Sequence, residues 1–327
     1  MEFDGSFPGE KLIIHLWHTL ADNGIGNLLK PWQMRREAKA EAENMLLLSQ
    51  AEKYAKDIEE GKKQLIFETK LKLTESLSAA KENQIPELKE AVKNITSDMM
   101  KDQIRREINL SQVILNAEDE LKQDSQNIPT ETIDEDWIRT WRDNASRSSK
   151  EYIQLLWGKV LAGEFKSPGS FSFRTLEFLK MTSLEDAKFI SSAFQFVVNN
   201  RILLHDRPLL RKYDFSTPNR LKLQELGLVV GAEGTLDVTY GHDEIKHIYL
   251  ISGNKALRLT ARQKGARVNF KQCRLTSLGK EIYSLGTFST NDEYLNSIAL
   301  LADINNFSVT KFDYDIKTGR FSNGNKF

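Results

Sequence analysis

The chain has 327 residues, 40% of them hydrophobic and 28% charged, so it can bury real cores over two or three domains and is not disordered by composition. Lys+Arg and Asp+Glu are equal at 46 each, which excludes a protein that coats nucleic acid through overall charge; any such contact needs a local patch. The one cysteine, Cys273, excludes an intramolecular disulfide and fits a reducing compartment.

Three textures follow one another: residues 1–126, 127–212 and 213–327. The first opens with acids rather than a basic leader, so no secretory signal is expected. Leu12, Ile13, Leu16, Trp17 and Leu20 fall near one helical face over Glu10 to Asp22. The apolar run from Leu12 to Leu20 would be about 14 Å long as a helix, against about 30 Å of hydrocarbon, so no membrane span is expected. The same face, extended by Leu28, Leu29 and Trp32 beside Lys30, Arg35 and Arg36, is a candidate for seating on an anionic membrane surface or on a partner. The alternative is that it docks on the protein's own helices. After the break at Asn23 to Asn27, long helices are expected through Gly61, over Gln64 to Lys81, and from Glu87 to about Lys122.

The second region reads as a compact helical domain. Asp134, Glu135 and Asp136 sit where a first helical turn favours acids, ahead of Trp137 and Trp141. Ser148 to Glu151 has the spacing of a capping box, and a helix follows from Tyr152 to a stop at Gly163. Glu164, beyond that stop, is expected to pair structurally, with Arg174 as a partner. A short helix over Ser172 to Met181 and a second capping box at Ser183 to Asp186 come next.

In the third region Thr217 to Leu226 is a helix closed by Gly227. Strands are expected at Leu228 to Val230, Leu236 to Tyr240, His247 to Ile251, Lys255 to Thr260 and Val268 to Leu275, with a turn at Lys264 and Gly265. Helices over Ser277 to Leu285 and Asp292 to Asn305, a strand over Ser308 to Ile316 and a polar, fraying tail complete it. The succession of Leu-Gly-Leu, hairpin and Leu-Thr-x-x-Gly is the rhythm of a winged helix. The expected fold is mainly α with a smaller α+β C-terminal part: a long-helix N-terminal region, a helical middle domain and a winged-helix-like C-terminal module.

Catalytic motifs are missing: there is no P-loop, GxGxxG, HExxH, CxxC or GxSxG. No cofactor, metal or catalytic residue is therefore assigned. His15 with His18, and His242 with His247, have ligand-like spacing but lack a completing set. Cys273 between Gln272 and Arg274 reads as a strand residue. The strongest charge pattern is Asn254 to Lys280, which has no Asp or Glu. If it forms a hairpin, Lys255, Arg258, Arg262, Lys264, Arg267, Lys271 and Arg274 are candidates for phosphate contact. The alternatives are a solvated hairpin face, or charges neutralised by acids from the helical region.

Leu155-Leu-Trp-Gly-Lys-Val-Leu-Ala-Gly-Glu164, Pro168-Gly-Ser-Phe-Ser-Phe-Arg-Thr-Leu176 and Leu184-Glu-Asp-Ala-Lys-Phe189 resemble the bacterial domain-of-unknown-function family 2806. Leu223-Gln-Glu-Leu-Gly-Leu228, Leu275-Thr-Ser-Leu-Gly279 and the earlier Lys30-Pro-Trp continue the resemblance. The rhythm is also similar to Abi-alpha abortive-infection proteins, which implies a role in bacterial defence against phage. The resemblance transfers no catalytic residue. Two functions are carried forward: a non-enzymatic defence component acting by binding or assembly, and a nucleic-acid-binding or regulatory protein. Expected partners are a protein or a second copy, nucleic acid, or a membrane touched peripherally. The expected location is cytoplasmic, with contact at the inner membrane as a variant.

Overall fold

The computed structural model describes residues 8–25, 85–122, 124–241, 243, 247–316 and 318–327. About half of these residues are helical, and two small antiparallel sheets lie in the C-terminal part. The chain divides into two compact units, Met1–Gly169 and Ser170–Phe327. The stretch 127–212 contributes to both.

Four helices are described in the first unit: α1 (Glu10–Asp22), α2 (Ile85–Leu121), α3 (Glu135–Ser146) and α4 (Glu151–Lys166). The helices expected between residues 26 and 84 lie outside the described residues. On α2, Leu110, Val113, Ile114, Ala117 and Leu121 recur at helical spacing and are buried. They meet Ile153, Trp157, Val160 and Leu161 of α4, the main packing partner of α2. Trp141 of α3 is fully buried and donates its indole hydrogen to the Trp157 carbonyl at 3.1 Å. A small polar network crosses this core. Gln154 donates to the Ser148 carbonyl (2.9 Å) and to Asn109 Oδ1 (3.4 Å), while Asn109 donates to the Ser146 carbonyl (3.0 Å). Each buried amide thereby keeps a partner, which burial demands.

Two local expectations need correction here. Ser148 does not cap α4: its hydroxyl donates back to the Asn144 carbonyl at 3.2 Å, because it still belongs to the end of α3. The N-cap position of α4 is Lys150, without a side-chain cap bond. Nor does α4 stop at Gly163; it runs to Lys166 because Phe165 is fully buried and continues the apolar stripe.

The second unit opens with α5 (Phe173–Met181) and α6 (Leu184–Phe194), the latter capped by Ser183, whose hydroxyl accepts from the Asp186 amide. Then come β1 (Arg201–Leu203), α7 (Arg207–Lys212), α8 (Thr217–Glu225), β2 (Val229–Val230) and β3 (Leu236–Gly241). Strands β4 (His247–Ser252), β5 (Lys255–Ala261) and β6 (Arg267–Leu275) follow, then α9 (Ser277–Ser284), α10 (Asp292–Ile304), β7 (Phe307–Asp315) and β8 (Arg320–Lys326). Gly227, at φ +74°, supplies the left-handed residue that ends α8.

The long strand β6 is the centre of the first sheet. It pairs with β1 on one edge and with β2 and then β3 on the other, all antiparallel. The second sheet has the order β4-β5-β7-β8. The expected hairpin of Lys255 to Thr260 with Val268 to Leu275 therefore does not form; those strands belong to different sheets. Each has its own buried row, Leu257, Leu259 and Ala261 in β5 and Val268 and Phe270 in β6, so each needs separate cover. The tail does not fray either. Arg320–Lys326 pairs with β7 although every residue in it is exposed, held by Phe321 against Tyr249, Phe312 and Tyr314.

Candidate nucleic-acid interface

The acid-free run Asn254 to Lys280 meets its acids in three dimensions. Lys255 binds Asp292 at 2.7 Å, Arg267 binds Asp243 at 2.6 Å and Lys271 binds Asp237 at 3.0 Å. Arg262 pairs with Asp303. Arg258 lies over the Phe312 ring, 5.1 Å from its centroid. Three of the seven candidates, Arg258, Lys264 and Arg274, carry no ion pair or hydrogen bond of their side chains among the described residues. The fold also separates the set. Lys255 and Arg258 lie on β5, Arg262 and Lys264 on the connection after it, and Arg267, Lys271 and Arg274 on β6.

Other cations are brought together where the sequence reading placed none. Arg207 and Arg211, four apart on α7, share a helix face and are exposed. Neither has an ion pair among the described residues. Asp206 caps this helix, accepting from the Leu209 amide at 3.0 Å, and Pro208 occupies its first turn. The neighbouring α8 holds the buried Arg220, which donates to the carbonyls of Ala232 (2.9 Å) and Phe215 (3.2 Å) and to Thr217 (2.8 Å). Burial holds its guanidinium below the ordinary arginine value, and Arg207 and Arg211 are close enough to add to the effect. Three guanidiniums thus share one neighbourhood, one fixing the α8 entry and two facing solvent. That arrangement suits phosphate oxygens.

Leu16 and Leu20 are fully buried and Trp17 half-buried; α1 spends this face on α2 and α4, which is the internal docking that competed with the membrane reading. Leu28, Leu29 and Trp32 lie outside the described residues. His15 packs edge-on against Phe165, and burial, then the neighbouring His18, lower its pKa. His247 meets Thr260 Oγ1 at 2.9 Å, and His242 lies outside the described residues. Among the described residues no group of three His, Cys, Asp or Glu side chains could hold a metal ion. Burial pushes the Cys273 thiol up to about 11, the wrong direction for a nucleophile. Glu164 accepts from the Gly169 amide at 2.6 Å, so the pairing expected with Arg174 is replaced by a turn contact. Among the described residues no helix is long and apolar enough to cross a membrane.

No curated protein and no solved structure matches the chain. Residues 95–214 match the family model described as protein of unknown function (DUF2806), which covers the stretches Leu155–Glu164, Pro168–Leu176 and Leu184–Phe189 that carried the resemblance.

Proposed function

We propose that the second unit is a winged-helix-like module and that the protein works by binding nucleic acid through it rather than by catalysis. The observation that carries this reading is the pair Arg207 and Arg211 on α7, exposed, without acid partners among the described residues and set beside α8. Support also comes from chain order. A helix (α6), a strand (β1), two helices (α7 and α8) and two further strands (β2/β3 and β6) follow one another, with β6 between β1 and β2/β3. In this reading α8 is the helix offered to the groove and α7 supports it. Strands β4 and β5 interrupt the hairpin of β3 and β6 as an enlarged wing, with Lys264 on an exposed turn. Fold order alone does not decide function, so the arginines bear the weight.

The test is fluorescence anisotropy of the full chain with labelled duplex DNA, single-stranded DNA and RNA across a salt series. Arg207→Glu with Arg211→Glu should weaken binding at least tenfold at low salt and reduce the slope of log K against log salt by about 2. No binding to any of the three, or binding indifferent to both reversals, would sink the reading. The defence role implied by the Abi-alpha resemblance is the proposed cellular setting. Its measure is the plating efficiency of phage on cells with and without the gene, and equal plating would remove it.

A further inference from the structure

Arg274 stands directly opposite Arg201 in the β1–β6 ladder. The bond flanking this pair, Leu275 N to Asn200 O (3.0 Å), and the bond in the same phase beyond Leu203 and Gln272, Leu204 N to Lys271 O (2.7 Å), place it in a non-hydrogen-bonded position, where facing side chains come closest. Like charges set opposite each other there destabilise a sheet. Elsewhere on the same stretch the cost is avoided: Lys255, Arg262, Arg267 and Lys271 each hold a carboxylate. Here no carboxylate arrives. The Arg201 guanidinium reaches only Gln272 Oε1, at 3.5 Å, and the Arg274 and Lys280 side chains carry no hydrogen bond or ion pair among the described residues.

These three cations line one cavity of about 300 Å³, together with Asn200, Thr276 and Ser277, and among the described residues no acid contributes to its wall. The wall is firmly built. Asn199 and Asn200, both at positive φ (48° and 61°), form the two-residue turn that closes Val198 onto Arg201. Asn199 Oδ1 accepts from the Ile251 amide and its Nδ2 donates to the Tyr249 carbonyl, at 2.9 and 2.8 Å, tying the turn to β4. Thr276 donates its hydroxyl hydrogen to the Gly227 carbonyl at 2.6 Å and caps α9.

We infer that this cavity binds a phosphate group, with Arg201, Arg274 and Lys280 as its counter-charges. A carboxylate brings one charge and a planar pair of oxygens. A phosphate monoester brings nearly two charges and tetrahedral oxygens, which fits three cations arriving from two strands and a helix, with hydroxyl and amide groups between them. The cavity is large enough for the phosphate and a small attached group. Arg274 is one of the seven cations first considered for phosphate contact, but the inference uses neither Arg207 nor Arg211, which carry the nucleic-acid reading, so the two stand or fall separately. The phosphate has two sources, a free phosphate compound or the end of a nucleic-acid strand.

The experiment is calorimetry and thermal unfolding of the full chain with inorganic phosphate, with a nucleoside monophosphate, and with oligonucleotides bearing or lacking a terminal phosphate. Chloride at matched ionic strength is the reference. Stabilisation by at least one phosphate-bearing probe over that reference is expected. Arg274→Gln and, separately, Lys280→Gln should each weaken its binding roughly tenfold or more. Without phosphate, Arg274→Gln should unfold at a temperature no lower than the parent, since it removes the facing charge; this separates lost binding from lost folding. A response to phosphate or the monophosphate assigns a small ligand, and a response confined to the end-phosphorylated strand assigns a nucleic-acid terminus. Phosphate-bearing probes acting no differently from chloride, or binding unchanged in both variants, would overturn the inference. Strand binding that survives Arg274→Gln and is lost with Arg207→Glu and Arg211→Glu leaves the nucleic-acid reading standing alone.

Discussion

Tyr294 on α10 accepts the Leu203 amide hydrogen at 2.7 Å and donates its hydroxyl hydrogen to the Leu203 carbonyl at 3.0 Å. Leu203 faces Gln272 at a non-hydrogen-bonded position of the ladder, so its amide and carbonyl point away from β6 toward an otherwise bare edge. One phenol satisfies both, and burial pushes that phenol well above its ordinary pKa, keeping it protonated. Tyr294→Phe keeps the ring and strands two buried backbone groups. The expected loss is about 2 kcal/mol, read as a lower denaturant midpoint with unchanged slope. A midpoint equal to the parent's would mean that water replaces the hydroxyl.

Asp292 opens α10 and receives Lys255 at 2.7 Å and Lys311 at 2.9 Å. The bond from Lys255, then that from Lys311, holds its carboxyl below the usual aspartate range. A lowered folded pKa contributes stability that is present above the unfolded value and lost as pH falls through the folded one. Asp292→Asn should therefore be less stable than the parent at neutral pH, by under about 1 kcal/mol because the pair is half exposed and solvent screens it. Urea titrations at stepped pH should show the two proteins converging below the ordinary aspartate value. A gap that stays constant into acid would assign the effect to packing instead.

A Cβ on Gly279 would lie 2.0 Å from the Leu228 carbonyl oxygen and 3.0 Å from its carbon. Both are backbone atoms of the segment entering β2, which cannot swing aside as a flexible side chain would. Gly279→Ala should cost about 3 kcal/mol despite the better helix former, against little change for Ser284→Ala at the exposed end of the same helix. Comparable unfolding midpoints for the two variants would show that α9 shifts to make room.

That glycine belongs to the Leu-Thr-x-x-Gly rhythm, and there the sequence was informative. Thr276, Gly279, Gly227 and Ser183 are punctuation set by local geometry, so their helices sit where expected. Non-local partners were invisible. The run Asn254 to Lys280 looked like a positive surface because Asp237, Asp243, Asp292 and Asp303 lie outside it in sequence. Strand pairing was equally hidden, because nothing within β5 or β6 states which neighbour each will take. Two signals were present and passed over. Asp206-Arg207-Pro208 has the order of an N-cap and first turn, and Asn199-Asn200 has the residues of a two-residue turn. Reading them would have placed α7 and β1, and with them Arg201, Arg207 and Arg211. Leu16 and Leu20 are buried within the protein, a placement that amphipathicity alone does not state, since it is the same for a lipid surface and for a helix pair.

The polar composition of residues 318–327 predicts a loose end, yet Phe321 stacks on Tyr249 at 4.9 Å and meets Tyr314 at 5.2 Å and Phe312 at 5.9 Å. Tyr249 is on β4, at the far edge of the same sheet, so the contact requires the sheet to curl and closes the aromatic cluster over Arg258. Elsewhere β8 is held to β7 by backbone pairing and by Asn323, whose amide donates to Asp313 Oδ2 at 2.8 Å, and an edge strand held by hydrogen bonds alone is marginal in water. The ring is therefore what holds β8 in place. Phe321→Ala should cost about 1–2 kcal/mol by lost apolar and ring contact. Its local signature is sharper than its global one: amide exchange should accelerate across Arg320–Lys326 while β5 amides keep their protection. If the parent's β8 amides already exchange at the rate of a free chain, the strand is not held and the ring contact contributes nothing.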